Sequence, residues 1–448
     1  QYVKCKLFCN IKKRIGIFSK TIEVDSDKSI SIRAFLIGSI SQGISKINNV
    51  LESEDVFSTI NCLKKLGIKI KKNGRKNYII YGKGLGSLSA KKNTVLDCGN
   101  SGTLARLLIG ILSTTPNINL KITGDRSLKK RSMSKLIHLM NKFGANFKKN
   151  KSFLPINIVS SSMPLGINYE SGVSAQLKSA VILAGLNSYG FTIIEEKREN
   201  QSRDHTENLL LKNPGILKIK KNQIKVLGKS HLEPIKFSVP GDPSSAAFFS
   251  AITIFSKKSN LKIKNVCLNP RRLGFYKLLK KHGAKIAFKN IKKNFNETVG
   301  DIHVKSSKVK PIKAGPDYYP STADEYVILI VCAAMIPGVS IFKGISDLSN
   351  KESSRAQEMK KILSQIGIKC KLSRDKMKVF GSKNIKITNR TIKVNNLLDH
   401  RICMASICLS LLTGIRSSVK NFETVDTSSP SFLKIIKSIG GKYKIEKK

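Results

Sequence analysis

Acidic residues are scarce in this chain of 448 residues: 29 Asp and Glu stand against 81 Lys and Arg, a formal net charge of +52. Its nine cysteines include no C-x-x-C pair, which argues against a zinc ribbon or a dithiol redox motif. Cys332, Cys403 and Cys408 lie in apolar stretches where any small hydrophobe would serve. A reducing, cytoplasmic setting without disulfides is therefore expected. The longest apolar run, Tyr326 to Pro337, has about 12 residues, against roughly 20 for a bilayer-spanning helix. No membrane partner is expected. The first twenty residues lack an apolar core of secretory length, and Gln1 in place of Met is read as a trimmed or incomplete start. Basic blocks interleaved with aromatics are also missing. The lysines come in scattered pairs such as Lys64-Lys65, Lys71-Lys72 and Lys292-Lys293, which reads as compositional bias on solvated faces and not as a specific nucleic-acid footprint.

What is present is enough for two or more domains, with 40% hydrophobic residues to fill their cores. Only 15 of the 81 basic residues are Arg. In so Lys-rich a chain, an Arg suits a site where a planar fork grips a carboxylate or phosphate.

One segment recurs six times: TINCLKKLGIKI (59–70), LIHLMNKFGANF (136–147), LLLKNPGILKI (209–219), FYKLLKKHGAKI (275–286), MKKILSQIGIKC (359–370) and FLKIIKSIGGKY (432–443). Apolar residues three and four apart, then Gly, then alternation, predict an amphipathic helix, a Gly C-cap and a strand. The third copy is weaker, because Pro214 precedes Gly215. A period near 75 residues suits a small α/β module, and six modules divide into two domains of three. The turn-rich segment with Pro234, Pro240, Gly241 and Pro243 predicts a crossing between domains. A helix is expected after it, with Pro243 near its start and Asp242 or Ser244 as cap.

Polar clusters punctuate the helix starts. Lys28 and Arg33 flank a turn entering a helix, and Gly99-Asn100-Ser101-Gly102-Thr103 joins a predicted strand to a helix, where free N–H groups favour an anion. Four cations, Arg126, Lys129, Lys130 and Arg131, precede the second repeat helix. Ser174-Ala175-Gln176 and Ser202-Arg203-Asp204 offer polar groups at two more starts, with simple capping as the competing account. Asp324 and Glu325 directly precede an apolar helix, where burial can tune a carboxyl for proton transfer. Lys351 and Arg355, four apart beside Glu352, are expected on one helical face. Asp399-His400-Arg401 opens another apolar helix, with Asp399 able to cap it.

In chain order, DKSISIR, LDCGNSGT, GDRSLKKR, SAQLKSA, SRDHTE, VPGDPSSAAFF, NPRR, STADEY, KESSR and DHR resemble the 5-enolpyruvylshikimate-3-phosphate synthase family from about residue 16 to residue 443. The resemblance implies an α/β (α+β) fold of six βαβαββ modules, three per domain. One domain would comprise 1–20 plus 239–448 and the other 21–238, with helix N-termini facing an interdomain cleft. It implies a monomer that needs no cofactor and no metal. It further implies transfer of the enolpyruvyl group of phosphoenolpyruvate to the 5-hydroxyl of shikimate 3-phosphate through a tetrahedral intermediate.

Carried over by position, Lys28, Asp324 and Glu352 would be catalytic: Lys28 at the departing oxygen, Asp324 at the 5-hydroxyl and Glu352 at the methylene carbon. Shikimate 3-phosphate would meet Lys28, Ser29, Arg33, Ser174, Ala175, Gln176, Ser202, Arg203, Asp324 and Lys351. Phosphoenolpyruvate would meet Lys28, Asn100, Gly102, Arg131, Gln176, Arg355, His400 and Arg401. Departures from the family pattern are the VDSDKS turn, Ile32, Ser132, Ser354 and the SSPSF segment. The resemblance also implies inhibition by glyphosate, a competitor of phosphoenolpyruvate, with Gly102 leaving room for it. Rival readings are the UDP-N-acetylglucosamine enolpyruvyl transferase, whose loop Cys motif is not recognisable here, a basic nucleic-acid-binding protein, and an inactive family member.

Overall fold

The glycine that follows each repeat helix, Gly67, Gly144, Gly215, Gly283, Gly367 and Gly440, has a positive φ between 77 and 106° in the computed structural model. A side chain would strain that conformation, so in every repeat but the third the helix stops at this glycine and the chain turns into a strand. Residues 7–148, 152–197, 201–383, 385, 391–395 and 398–447 are described. In chain order the helices are α1 (Lys28–Ile40), α2 (Glu54–Lys65), α3 (Gly102–Thr114), α4 (Ser134–Lys142), α5 (Ala175–Leu186), α6 (His205–Leu210) and α7 (Pro243–Phe255), followed by α8 (Gly274–Lys281), α9 (Tyr319–Thr322), α10 (Tyr326–Met335), α11 (Arg355–Ser364), α12 (His400–Thr413) and α13 (Phe432–Ser438). The amphipathic repeat helices are α2, α4, α6, α8, α11 and α13. In the third repeat, Pro214 has the expected effect: α6 closes at Leu210, and a turn separates it from Gly215.

Each repeat has a second helix, and these six, α1, α3, α5, α7, α10 and α12, are buried along nearly their whole length. They are apolar on every side, so only the interior can hold them. Five carry a side-chain N-cap: Asp27, Ser101, Ser174, Asp242 and Asp399 each accept a backbone N–H of the first turn. Pro243 opens α7, and Asp242, not Ser244, is its cap.

The described residues form six four-stranded sheets. In the second repeat, Val95–Asp97 runs parallel to Asn119–Thr123, which is antiparallel to Ile156–Val159, itself antiparallel to Asn146–Lys148. With α3 and α4 between strands this is a βαβαββ module. Two modules exchange their leading strand. Ser19–Glu23 runs straight into α1 yet pairs with Asn260–Cys267 of the fourth repeat, whereas Lys236–Ser238, just before α7, pairs with Gln42–Asn48 of the first. The sixth sheet is completed from the other end of the chain, by Leu7–Ile11.

The chain divides into two compact units, one of Gln1–Asp25, Gly241–Lys292 and Thr298–Lys448, the other of Ser26–Pro240 and Lys293–Glu297, with three sheets in each. In the first, α7, α10 and α12 centre a continuous apolar core, with the tilted rings of Phe249 and Phe432 5.5 Å apart. In the second, α3 and α5 run side by side in a constant register: Arg106 meets Gln176, Gly110 meets Ala180 and Thr114 meets Ala184. Contact is so close that a Cβ on Gly110 would stand 2.6 Å from the Ala180 carbonyl oxygen. The register sets Gln176 beside the GNSGT turn. No described helix is long and apolar enough to cross a membrane. All eight described cysteines are free thiols.

Candidate active site

Within the unit of Ser26–Pro240, the N-termini of α1, α3 and α5 carry polar clusters. Lys28 is the first residue of α1, and its Nζ lies 2.9 Å from the buried Asp55 carboxylate in the first turn of α2. Ser29 follows, half-buried. Arg33, one turn on, is buried: Nε donates to Thr206 Oγ1 (2.9 Å), Nη1 to the Ser29 carbonyl (3.0 Å) and Nη2 to Ser179 Oγ (3.1 Å). At the GNSGT turn, Asn100 is fixed from both sides, donating to Asp125 (2.6 Å) and accepting from Arg131 Nη2 (2.8 Å). Of the four cations before α4, Arg131 is buried, while Arg126, Lys129 and Lys130 are exposed. Gln176 accepts from Arg106 Nη1 (2.8 Å) and donates to Thr103 Oγ1 (3.0 Å), so its amide orientation is set by α3. Ser174 caps α5 and Ala175 is its first residue. Ser202 is buried and Arg203 half-buried ahead of α6. There Asp204 makes no side-chain cap, and Thr206 lies inside the helix, bonded to Arg33 and Ser179.

In the other unit, Arg355 and Arg401 organise the acids. Arg355 opens α11 with its side chain 1% exposed, and its Nε and Nη2 reach the two oxygens of Asp399 at 2.9 and 3.4 Å. Nη2 also donates to Glu352 (2.5 Å), and Nη1 faces Asp324 at 3.6 Å. Burial alone would favour a neutral Arg355, but Asp399, Glu352 and Asp324 raise its pKa above the ordinary value, so it stays charged. Arg401, also buried, faces Asp324 from the second side at 3.5 Å. Asp324 thus lies between two guanidinium groups, and Glu352 is next to one. His400, buried, opens α12.

Lys351 and Arg355 do not share a helical face. Residues 351–354 are irregular and α11 begins only at Arg355. Lys351 instead turns to Asp347 (3.1 Å), which also accepts from the Tyr319 hydroxyl (2.8 Å) and the Asn350 amide (3.4 Å). Glu325 differs from Asp324: it is buried and accepts from Ser244 of α7. Nothing in the local sequence pattern points to Asp55 as the partner of Lys28. Asp399 was visible only as a cap, yet the same carboxylate anchors Arg355 while accepting the Arg401 N–H at 3.0 Å.

Two predictions arise from this geometry. A Cβ on Gly102 would stand 2.7 Å from Arg106 Nη1 and 3.0 Å from Arg131 Nη1. Gly102→Ala is expected to push both guanidinium groups aside and, since the resemblance implies phosphoenolpyruvate at this turn, to raise the KM for that compound about tenfold; steady-state kinetics with an unchanged KM would count against a ligand at this turn. Asp347 titrates below the ordinary carboxylate range: burial pushes it up, but the Lys351 charge and hydrogen bonds from Tyr319, Lys351 and Asn350 outweigh burial. A lowered folded-state pKa contributes stability in full above the unfolded value of about 3.9, and that contribution is lost as pH falls through the folded value. Asp347→Asn should therefore lose less stability than the parent between neutral pH and the acid side of that range, as read from urea melts.

Comparison with known proteins bears on the chain as a whole. The family model of EPSP synthase (3-phosphoshikimate 1-carboxyvinyltransferase) matches residues 13–436. Similar relatives include the 3-phosphoshikimate 1-carboxyvinyltransferases of Petrotoga mobilis, 38% identical over 93% of this chain and 96% of that one, and of Thermodesulfovibrio yellowstonii, 38% identical over 96% and 99%. Among solved structures, EPSP synthase from Acinetobacter baumannii has a TM-score of 0.84 at 31% identity, covering 98% of this chain and 100% of that one. The enolpyruvyl transferase NikO from Streptomyces tendae, at 12% identity and TM-score 0.74 over 99% and 100% of the two chains, shares the fold. Motifs, modules and relatives agree along nearly the whole length, and the chain belongs to the EPSP synthase family.

Proposed function

We propose that the chain transfers the enolpyruvyl group of phosphoenolpyruvate to the 5-hydroxyl of shikimate 3-phosphate and releases phosphate, by addition and then elimination. The relatives' name supports the substrates. The observation that carries the chemistry is the cluster in which Asp324 lies between Arg355 and Arg401, with Glu352 beside Arg355. It sets two carboxylates among forked cations at the starts of α11 and α12, as a reaction of two anionic substrates requires.

In this reading the 5-hydroxyl oxygen attacks C2 of phosphoenolpyruvate and gives its proton to Asp324, while C3 gains a proton from Glu352 and becomes a methyl group. The ketal then collapses. Glu352 takes a proton back from C3, the C2–O bond to phosphate breaks, and Lys28 donates to the departing oxygen. Ser29, Arg33, Ser174, Ala175, Gln176, Ser202, Arg203 and Lys351 hold shikimate 3-phosphate. Asn100, Gly102, Arg131, Gln176, Arg355, His400 and Arg401 hold phosphoenolpyruvate. Phosphate release with both substrates, and none with either alone, is the test. Release that depends on a UDP-sugar in place of shikimate 3-phosphate would replace this reading with the related transferase.

Arg401→Lys keeps the charge and loses the fork. A charge-assisted hydrogen bond contributes about 1.5–3 kcal/mol, so use of phosphoenolpyruvate should weaken roughly 10- to 100-fold while binding of shikimate 3-phosphate changes little. Calorimetry with each ligand separates the two, and equal damage to both would make the Arg structural.

A further inference from the structure

We propose that Lys178 is a positioning residue for shikimate 3-phosphate, which fixes the Ser202-Arg203 segment against the start of α5 by ion pairs it shares with Glu196 and Glu207. The inference rests on the reading above, in which Ser174, Gln176, Ser202 and Arg203 hold that substrate. Lys178 lies one turn after Ser174, and its side chain is 0% exposed. Its ammonium donates hydrogen bonds to Glu196 Oε1 at 2.7 Å and to the Ser202 carbonyl oxygen at 3.3 Å, and Glu207 Oε1 lies 2.7 Å away as a second ion-pair partner. These partners come from the strand Phe191–Glu196, from the segment before α6 and from α6.

Burying an ammonium with two carboxylates is a poor route to stability, since well-packed apolar residues of the same volume often do as well or better. What the arrangement provides is geometry. Three chain segments are held to one atom, and one of the contacts is made to the backbone of a residue that holds the substrate. The neighbouring Ser179 works alongside, joining Arg33 of α1 to Thr206 of α6. Glu207 also titrates above the ordinary carboxylate range because burial outweighs the pull of Lys178.

The experiment compares the parent with Lys178→Met and with the double variant Lys178→Met/Glu207→Gln. Lys178→Met removes the cation and leaves two buried carboxylates, so Tm falls. The double variant removes one of those charges, so much of Tm returns, while the Ser202 carbonyl still lacks its donor. The expected result is a KM for shikimate 3-phosphate raised about tenfold in both variants, with the KM for phosphoenolpyruvate at saturating co-substrate nearly unchanged. Lys178→Gln, which is neutral but keeps a donor, should recover part of the shikimate 3-phosphate KM. The proposal is overturned if that KM returns to the parental value together with Tm, if both KM values move together, or if neither Met variant folds, since Lys178 would then be a stability residue. A parent without turnover on the two substrates would instead refute the functional reading itself.

Discussion

Glu352→Gln is expected to lower kcat by about 10²- to 10⁴-fold, the usual worth of a positioned proton-transfer group, while KM for both substrates changes little. The substitution preserves shape and one acceptor oxygen. Arg355 keeps Asp399 and Asp324 as partners, so the start of α11 should stay in place. If Glu352 moves the proton at C3, exchange of solvent deuterium into recovered phosphoenolpyruvate should fall together with kcat. An unchanged kcat with a raised KM would assign Glu352 to binding, and the acid–base role would be lost.

Asp399→Asn tests the anchor behind that chemistry. Asn caps a helix about as well as Asp, so the Arg401 N–H bond and the start of α12 are preserved. What disappears is the anionic partner that meets two nitrogens of Arg355, in a pair whose side chains are 1% and 0% exposed. Breaking a buried ion pair costs about 3–5 kcal/mol; with Glu352 and Asp324 still present we expect about 2–4 kcal/mol. That corresponds to a Tm lowered by roughly 4–12 °C. A loosened Arg355 should also raise the KM for phosphoenolpyruvate roughly 10- to 100-fold. Calorimetric melting and steady-state kinetics on the same preparation decide it. A Tm within about 1 °C of the parent, with unchanged kinetics, would leave Asp399 as a cap and nothing more.

Much of the site was legible because it is local. Asp27, Ser101, Ser174, Asp242 and Asp399 bond to an N–H two or three residues away, so the start of each buried helix can be read from a short window. Lys28, Gly102, Gln176, Arg355 and Arg401 fall in the first turns of such helices for the same reason. The error at Lys351 is also local: a spacing of four suggested a helix face, but α11 starts only at Arg355.

Helix, glycine and strand recur six times because a C-terminal glycine with positive φ is a property of a few adjacent residues, and it can be read without knowing what lies nearby. Which strand joins which sheet cannot be read that way. Ser19–Glu23 leaves its neighbour α1 for Asn260–Cys267, and Leu7–Ile11 completes a sheet with Ser417–Lys420 and Tyr443–Lys447. The charge partners follow the same division. Asp55 for Lys28, Asp399 for Arg355, and Glu196 with Glu207 for Lys178 are separated in sequence by 18 to 44 residues. Caps and turns are decided by dihedral angles within a few residues, whereas sheet partners and buried ion pairs are decided by which distant segments share a low-dielectric interior, and only the packed chain brings those together.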